Sequence, residues 1–436
     1  MRFPKAALIA LGLMGALVVG WVSAVFVGVQ SQKRPVQQPA PRSGIAEAAA
    51  TLRYEPTPIG ASLSEFDRPM VTNVHLADLD QDGFVDVLYG EGLKNSVRWI
   101  RQSPRGVFTE TILASGIRGP AHISTADLMG SGRLDVLIAS MGQIAPSNDR
   151  IGAVVVLENL NNRDFRQRIL IDRAARVTDV RAANLSGHTD GRLDLVVGQF
   201  GYSQGETRWM ENKGNWEFES HIVNSLSGCI HTPAADFDGD GRPDFAALIS
   251  QEWEEIQWFR NLGDKKFASS LVWGSTNEDY GSSGLEVADL NQDGRPDLIC
   301  TNGDAFDYGG YGTRAWHGVQ WLENQGGGKF AFHRVSDMPG AYGGSAADLN
   351  GDGFMDLVAV SCFADWSDRK SVSLMAWLND GHQRFTPVIL ANRPTHLVTA
   401  AVGDLDGNGI PVIVTGGFHA YPPFDNMSVI TLWRRQ

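Results

Sequence analysis

One acidic loop returns seven times along this chain, and its fullest copy reads Asp78-Leu-Asp80-Gln-Asp82-Gly83-Phe84-Val85-Asp86. The others begin at Asp127, Asn184, Asp236, Asp289, Asp348 and Asp404, so the spacings are 49, 57, 52, 53, 59 and 56 residues. A period of that length marks one repeated supersecondary unit, and units that cannot bury their own faces must pack against each other. A strand rich in small and β-branched residues leads into each loop, and an apolar run such as Asp86-Val-Leu-Tyr-Gly90 leaves it. A third strand follows, centred on an aromatic residue or Leu and often ending in Asn: Trp99, Leu157-Glu-Asn159, Trp209-Met-Glu-Asn212, Trp258-Phe-Arg-Asn261, Trp321-Leu-Glu-Asn324, Trp377-Leu-Asn379. The fourth opens on Phe108, Phe165, Phe218, Phe267, Phe330 or Phe385. Four short strands per unit make a propeller blade, so the expected fold is all-β, a seven-bladed β-propeller over residues 51–436.

The last unit lacks its Phe-led strand. Tyr54-Glu-Pro-Thr-Pro-Ile59 resembles Phe385-Thr-Pro-Val-Ile-Leu390 and is expected to supply it, with the prolines tolerated because an edge strand leaves alternate N–H groups unpaired.

Carboxylates at loop positions 1, 3, 5 and 9 converge only if the chain turns sharply, which the glycine at position 6 permits. Hard oxygen donors in such number suit Ca²⁺, and the absence of His or Cys gives softer metals no advantage. Position 12 holds Tyr89 or Ala247 rather than the bidentate Glu of an EF-hand. Four loops keep an oxygen side chain at every ligand position: Asp78/Asp80/Asp82/Asp86, Asp236/Asp238/Asp240/Asp244, Asp289/Asn291/Asp293/Asp297 and Asp348/Asn350/Asp352/Asp356. The seventh, Asp404/Asp406/Asn408, has Val412 at position 9 and is expected to bind weakly. The second, with Met129 and Ser131, and the third, lengthened around His188, read as vestigial. Without metal, such loops are acidic turns that hold a hairpin.

Repeated in this way, the Asp-x-Asp/Asn-x-Asp-Gly-x-x-Asp loop resembles the VCBS/FG-GAP repeats, seen also in the propeller of integrin α-subunits. The resemblance implies Ca²⁺ in loops joining the first and second strands of a blade. The Phe-Gly and Gly-Ala-Pro flanks of the integrin form are mostly absent, so the likeness is to bacterial-type VCBS proteins.

Ahead of the propeller, residues 1–30 contain a run of 24 uncharged residues, Ala6 to Val29. As a helix it would reach roughly 36 Å, adequate for a membrane span. Val22-Ser23-Ala24 also fits signal-peptide cleavage, so anchor and cleaved signal both remain open. Residues 31–50, rich in Gln, Pro and Ala, read as a tether. Weak calcium loops fill at extracellular levels and stay largely empty in a cytosol, which places the propeller outside the cytoplasmic membrane, anchored or secreted. The formal charge of −13 comes from 37 basic against 50 acidic residues, many of the latter in the loops. That acidity reads as ion capacity and argues against a nucleic-acid partner. The three cysteines show no metal spacing and read as buried thiols.

Function is sought at the channel mouth opposite the loops, where the inner strands begin. Counting back from loop position 1, the residue at −1 is small in every repeat, and −3 and −5 share its face by the two-residue period of a strand. At −5 three adjacent blades present His122, Asp179 and His231. The insertion carrying Asp304, Asp307, Tyr308 and His317 is expected at the same mouth, with Gln251/Glu252, Asp365/Trp366 and His419/Tyr421. Such groups fit a protein or carbohydrate ligand, a transition metal, proton abstraction in an exported lyase-like enzyme, or simple hydrogen-bonded cross-linking of the blades. No nucleophile motif or phosphate loop supports the enzyme.

Overall fold

A computed structural model describes residues 51–64, 66–145, 147–251, 254–306, 312–419 and 421–436. The Ala6 to Val29 run, the 31–50 tether, Glu252, Asp307 and Tyr308 lie outside the described residues, among which no helix is long and apolar enough to cross a membrane.

Seven antiparallel sheets follow one another along the chain. In blade one the strands are Val71–Ala77, Asp86–Glu91, Ser96–Gln102 and Phe108–Ser115, paired in that order from the channel outward. The second strand of each blade is buried along its whole length, as in Asp135–Ser140 and Asp356–Ser361, save for Phe200 at the end of blade three's, because neighbouring blades cover both its faces. This is why these strands read as continuous apolar runs rather than alternating ones. The core accordingly lies between blades: Leu88, Val97 and Trp99 of blade one pack with Ile123, Val136 and Leu157 of blade two.

Blade seven joins the two parts of the chain in the order Tyr54–Ile59, Ile430–Arg435, Val412–Gly417, Leu397–Gly403. Tyr54 pairs with Arg435 and Ile59 with Ile430, so the expected outer strand is present at the expected residues.

Two devices tie each blade to the next. At the loop end, a side chain closing the third strand donates to the position-2 carbonyl of the preceding blade. Asn159, Asn212, Asn261, Asn324 and Asn379 reach Leu79, Leu128, Leu185, Phe237 and Leu290 at 2.8–3.4 Å. Gln102 reaches Leu405 and Arg435 reaches Leu349, which closes the ring. At the mouth end each inner strand is bulged, as between Val71 and Asn73 or Val177 and Asp179. A bulge re-aims the side chains beside it. The hydroxyls of Thr72, Thr178 and Ser283 therefore turn sideways and donate to carbonyls of Pro120, Cys229 and Ala341 in the following blade. In blade four the inner strand splits into Cys229–His231 and Ala234–Ala235 around Pro233, which has no N–H to give. All three cysteines are free and buried.

Candidate functional site

The acidic loops are closed by their own side chains. Asp78 accepts from the N–H groups of Asp82 and Gly83 at 3.0 and 2.9 Å, and Asp236, Asp289, Asp348 and Asp404 repeat the pair of bonds. Position 6 sits at positive φ, 89° at Gly83 and 84° at Gly241, which a side chain would strain. Asp127 makes the same bonds in the degenerate second loop, so this shape needs only position 1 and the glycine.

Position 9 proves to be a fastening as well as a candidate ligand. Asp86 accepts from the N–H groups of Gln102 and Leu79, Asp135, Asp244, Asp297 and Asp356 each take the equivalent pair, and in the lengthened third loop Asp194 accepts from Asn212 and, one residue on, from Ser186. Burial pushes the Asp86 and Asp356 carboxyls up to about 7, and those of Asp244 and Asp297 up to about 6. A carboxylate pressed toward neutrality in this way is one that a nearby divalent cation would restore to its charged form.

The donor set fits Ca²⁺. One carboxylate oxygen from each of Asp78, Asp80 and Asp86 lies within 4.8 Å of the others, and Asp236, Asp238 and Asp244 form an equal group. Asp80 is only 6 % exposed and its Oδ1 has no hydrogen-bond partner, a buried acceptor that invites a cation. In the fifth and sixth loops Asn291 and Asn350 donate to Asp293 and Asp352. The third carboxylate–imidazole group, Glu211, Glu219 and His221, is bridged by Lys213 and Lys265 and so already holds its cations.

Position 5 has a second task in the loop. The two loop groups gather positions 1, 3 and 9 but take in neither Asp82 nor Asp240. One position-5 oxygen turns back onto its own loop and accepts from the position-7 N–H, at 3.1 Å in Asp82 and 3.0 Å in Asp240. Asp293 and Asp352 do the same, and Arg242 also contacts the Asp240 carboxylate. This is the local turn that short Asp and Asn side chains favour. Asn408 makes it too, accepting from the Ile410 N–H at 2.8 Å. With Val412 at position 9, the seventh loop keeps only the carboxylates of Asp404 and Asp406, beside the Asn408 amide oxygen that also holds the turn.

At the opposite end of the channel lies a cavity of about 1220 Å³. His122, His231 and Asp304 line it, as do Arg181, Glu286 and His75, while Phe200, Tyr202, Phe306, Tyr342 and Phe418 give it aromatic walls. His122, Asp179 and His231 do come together. Asp179 is wholly buried, 2.8 Å from His122 Nδ1 and 3.9 Å from His231 Nδ1, and it accepts from the N–H of Thr232 at 2.7 Å. Burial alone would raise its carboxyl, but Arg181, then His122 and His231, hold it well below the usual carboxylate range. The same sideways bond recurs at −5 elsewhere, from Ile123 N–H to Asn73 and from Val74 N–H to Thr399. The arc's carboxylate is thus engaged in joining blades three and four.

The −3 positions face the channel, as the two-residue period implies, though their residues Arg181 and Glu286 were not among the candidates. Arg181 Nε lies 3.1 Å from Asp179, and its Nη2 lies 3.1 Å from Glu286 of blade five. This bridge skips blade four because Pro233 stands at its −3 position. The visible signal was the charge opposition of Arg181 and Glu286 at one repeat position.

His317 and His419 are not brought into the cavity. His317 is 1 % exposed, and its Nδ1 accepts weakly from the N–H groups of Arg314 and Gly340, both at 3.4 Å. His419 is held against the carbonyl of Pro69, and Trp366 is buried. Burial, then Arg314 and Arg334, pushes the His317 imidazole down to about 4. Its folded value lies below the unfolded one, so the unfolded chain takes up the proton first and stability falls as pH drops from about 6.5 toward 4. His317→Gln is expected to flatten this limb by roughly 3 kcal/mol in urea melts across that range. An unchanged limb would show that His317 is not buried neutral.

The fold and its two ends define a class: a seven-bladed β-propeller with acidic loops on one face and a ligand-sized cavity in the other. Within that class the chain carries FG-GAP-like repeats, whose profile matches residues 73–138, 189–247 and 236–300. Integrin alpha pat-2 of Caenorhabditis briggsae is 27 % identical over 245 residues, 49 % of this chain and 19 % of that protein, so the chain matches about a fifth of the relative's length. Crystal structures of BBS1N in complex with ARL6DN, soaked with lead and with mercury, align with TM-scores of 0.51 and 0.53 at 10 % and 9 % identity. They cover 88 % of this chain and 96 % and 97 % of those chains, a likeness of fold alone.

Proposed function

We propose that this protein is an extracytoplasmic, calcium-binding interaction module that receives a protein or glycan ligand in the channel mouth. The observation that carries this reading is the cavity of about 1220 Å³, within reach of the volumes that binding pockets occupy, with aromatic walls above a polar base. Aromatic faces supply contact area at low entropic cost, and Arg181, Glu286 and Asp304 supply polar groups that fix orientation. Binding is favoured over catalysis because Asp179 is engaged between blades and His231 Nε2 lies 3.3 Å from the Ser283 carbonyl. In this reading residues 6–29 hold the propeller at a membrane or direct its export, and calcium in the acidic loops stiffens the face away from the ligand.

The test is a glycan and peptide array probed with the chain in calcium and in chelator, beside a Phe200→Ala/Tyr202→Ala variant. Specific ligands should be bound in calcium and lose at least about tenfold in affinity in the variant. Ligands that bind the variant equally well, or no ligand at all, would remove the mouth from consideration.

A further inference from the structure

The repeats differ in one respect that follows a rule. Where loop position 3 is an aspartate, an arginine stands immediately before the residue that caps the third strand, and it reaches that aspartate. Arg101 contacts Asp80, Arg260 Nε lies 2.5 Å from Asp238, and Arg434 Nε lies 2.9 Å from Asp406. Where position 3 is Asn, in blades five and six, the same place holds Glu323 and Leu378. In the degenerate second and third repeats it holds Glu158 and Glu211. The aspartate and the arginine thus come and go together across seven copies of one unit.

We propose that Arg101, Arg260 and Arg434 are resident counter-ions of the loops in blades one, four and seven. Each holds its position-3 aspartate in place without metal, and each lowers the affinity of its loop for calcium. This rests on the reading of the loops as calcium sites. A guanidinium is always charged. At Asp80 Arg101 takes Oδ2 and leaves Oδ1 without a partner, whereas Arg434 takes both oxygens of Asp406, Nε at 2.9 Å from Oδ2 and Nη2 at 3.2 Å from Oδ1, and so competes with a metal there directly. A divalent cation entering beside it meets like charge at close range, which weakens binding. In chelator the ion pair replaces part of what the metal would supply. Loop six, with Asp348, Asp352 and Asp356 and no arginine on any of these carboxylates among the described residues, has no such substitute.

The test is a calcium titration by calorimetry on the full chain after chelator treatment, with thermal melts in chelator alongside. Arg260→Gln is expected to tighten one site by about tenfold, equivalent to about 1.4 kcal/mol of removed repulsion, and to lower the melting temperature in chelator. Arg260→Lys keeps the charge and should restore both. Arg101→Gln provides the second variant should Arg260→Gln fold poorly. Unchanged or weaker calcium binding in the Gln variants, or an unchanged melt in chelator, overturns the proposal while leaving the calcium reading intact. Absence of any calcium binding by the wild type overturns both.

Discussion

A chain trimmed to begin at Gly60 is expected to aggregate, whereas one trimmed to begin at Ala46 should stay folded and monomeric. The longer cut removes the strand Tyr54–Ile59, with Tyr54 and Ile59 almost wholly buried against blade seven. Burial of two such side chains is worth about 3–6 kcal/mol, a large share of the 5–15 kcal/mol that holds a typical domain folded. The cut also turns Ile430–Arg435, which carries Ile430, Leu432 and Trp433, into an edge strand, and a bare apolar edge is a template for pairing between chains. Size-exclusion chromatography with a thermal melt decides the matter. Should both truncations elute as monomers and melt together, the clasp contributes little.

Asp179→Ala should cost about 3–5 kcal/mol in urea unfolding, because it leaves Arg181 without its buried partner and the Thr232 N–H without an acceptor. Glu286→Ala, at the other end of the same arginine but with its side chain 41 % exposed, should cost less than about 1 kcal/mol. Equal costs would mean that the buried carboxylate is not what fastens blades three and four.

The repeat period, the Phe-led outer strands and the clasp were all legible, because each is a local pattern repeated at fixed offset. The asparagines that end the third strands were visible as a recurrence, but their partners lie some 76–89 residues away in the preceding blade. Position 9 read as a ligand from its place in the loop. Its persistence at Asp135 and Asp194, where other ligands are lost, was the sign of a second duty, since both oxygens accept backbone N–H groups. Position 5 read as a ligand for the same reason, and at Asp240 and Asn408 an oxygen also accepts from an N–H two residues on, a bond that loop spacing does not reveal. The mouth was read less well for a geometric reason. Strict alternation puts −1, −3 and −5 on one face, and His122 and His231 do line the cavity, but the bulge beside each −5 residue lets Asn73, Asp179 and Thr399 also bond sideways to a neighbouring blade. Arg181 and Glu286, on the unbroken side, are the pair that alternation should have singled out. His317 and His419 were placed at the mouth by loop membership, which does not say which way a side chain turns.

Pairing Tyr54 with Arg435 brings both ends of the described chain to one side of the disc, beside the acidic loops, since Tyr54 also donates to the Pro411 carbonyl at the seventh loop. The cavity opens on the other side. The propeller therefore has a back and a front: whatever is joined covalently at either end stands behind it, like the stalk of a dish. Anything held at such a joint would leave the hollow facing away from it, with the acidic loops in between.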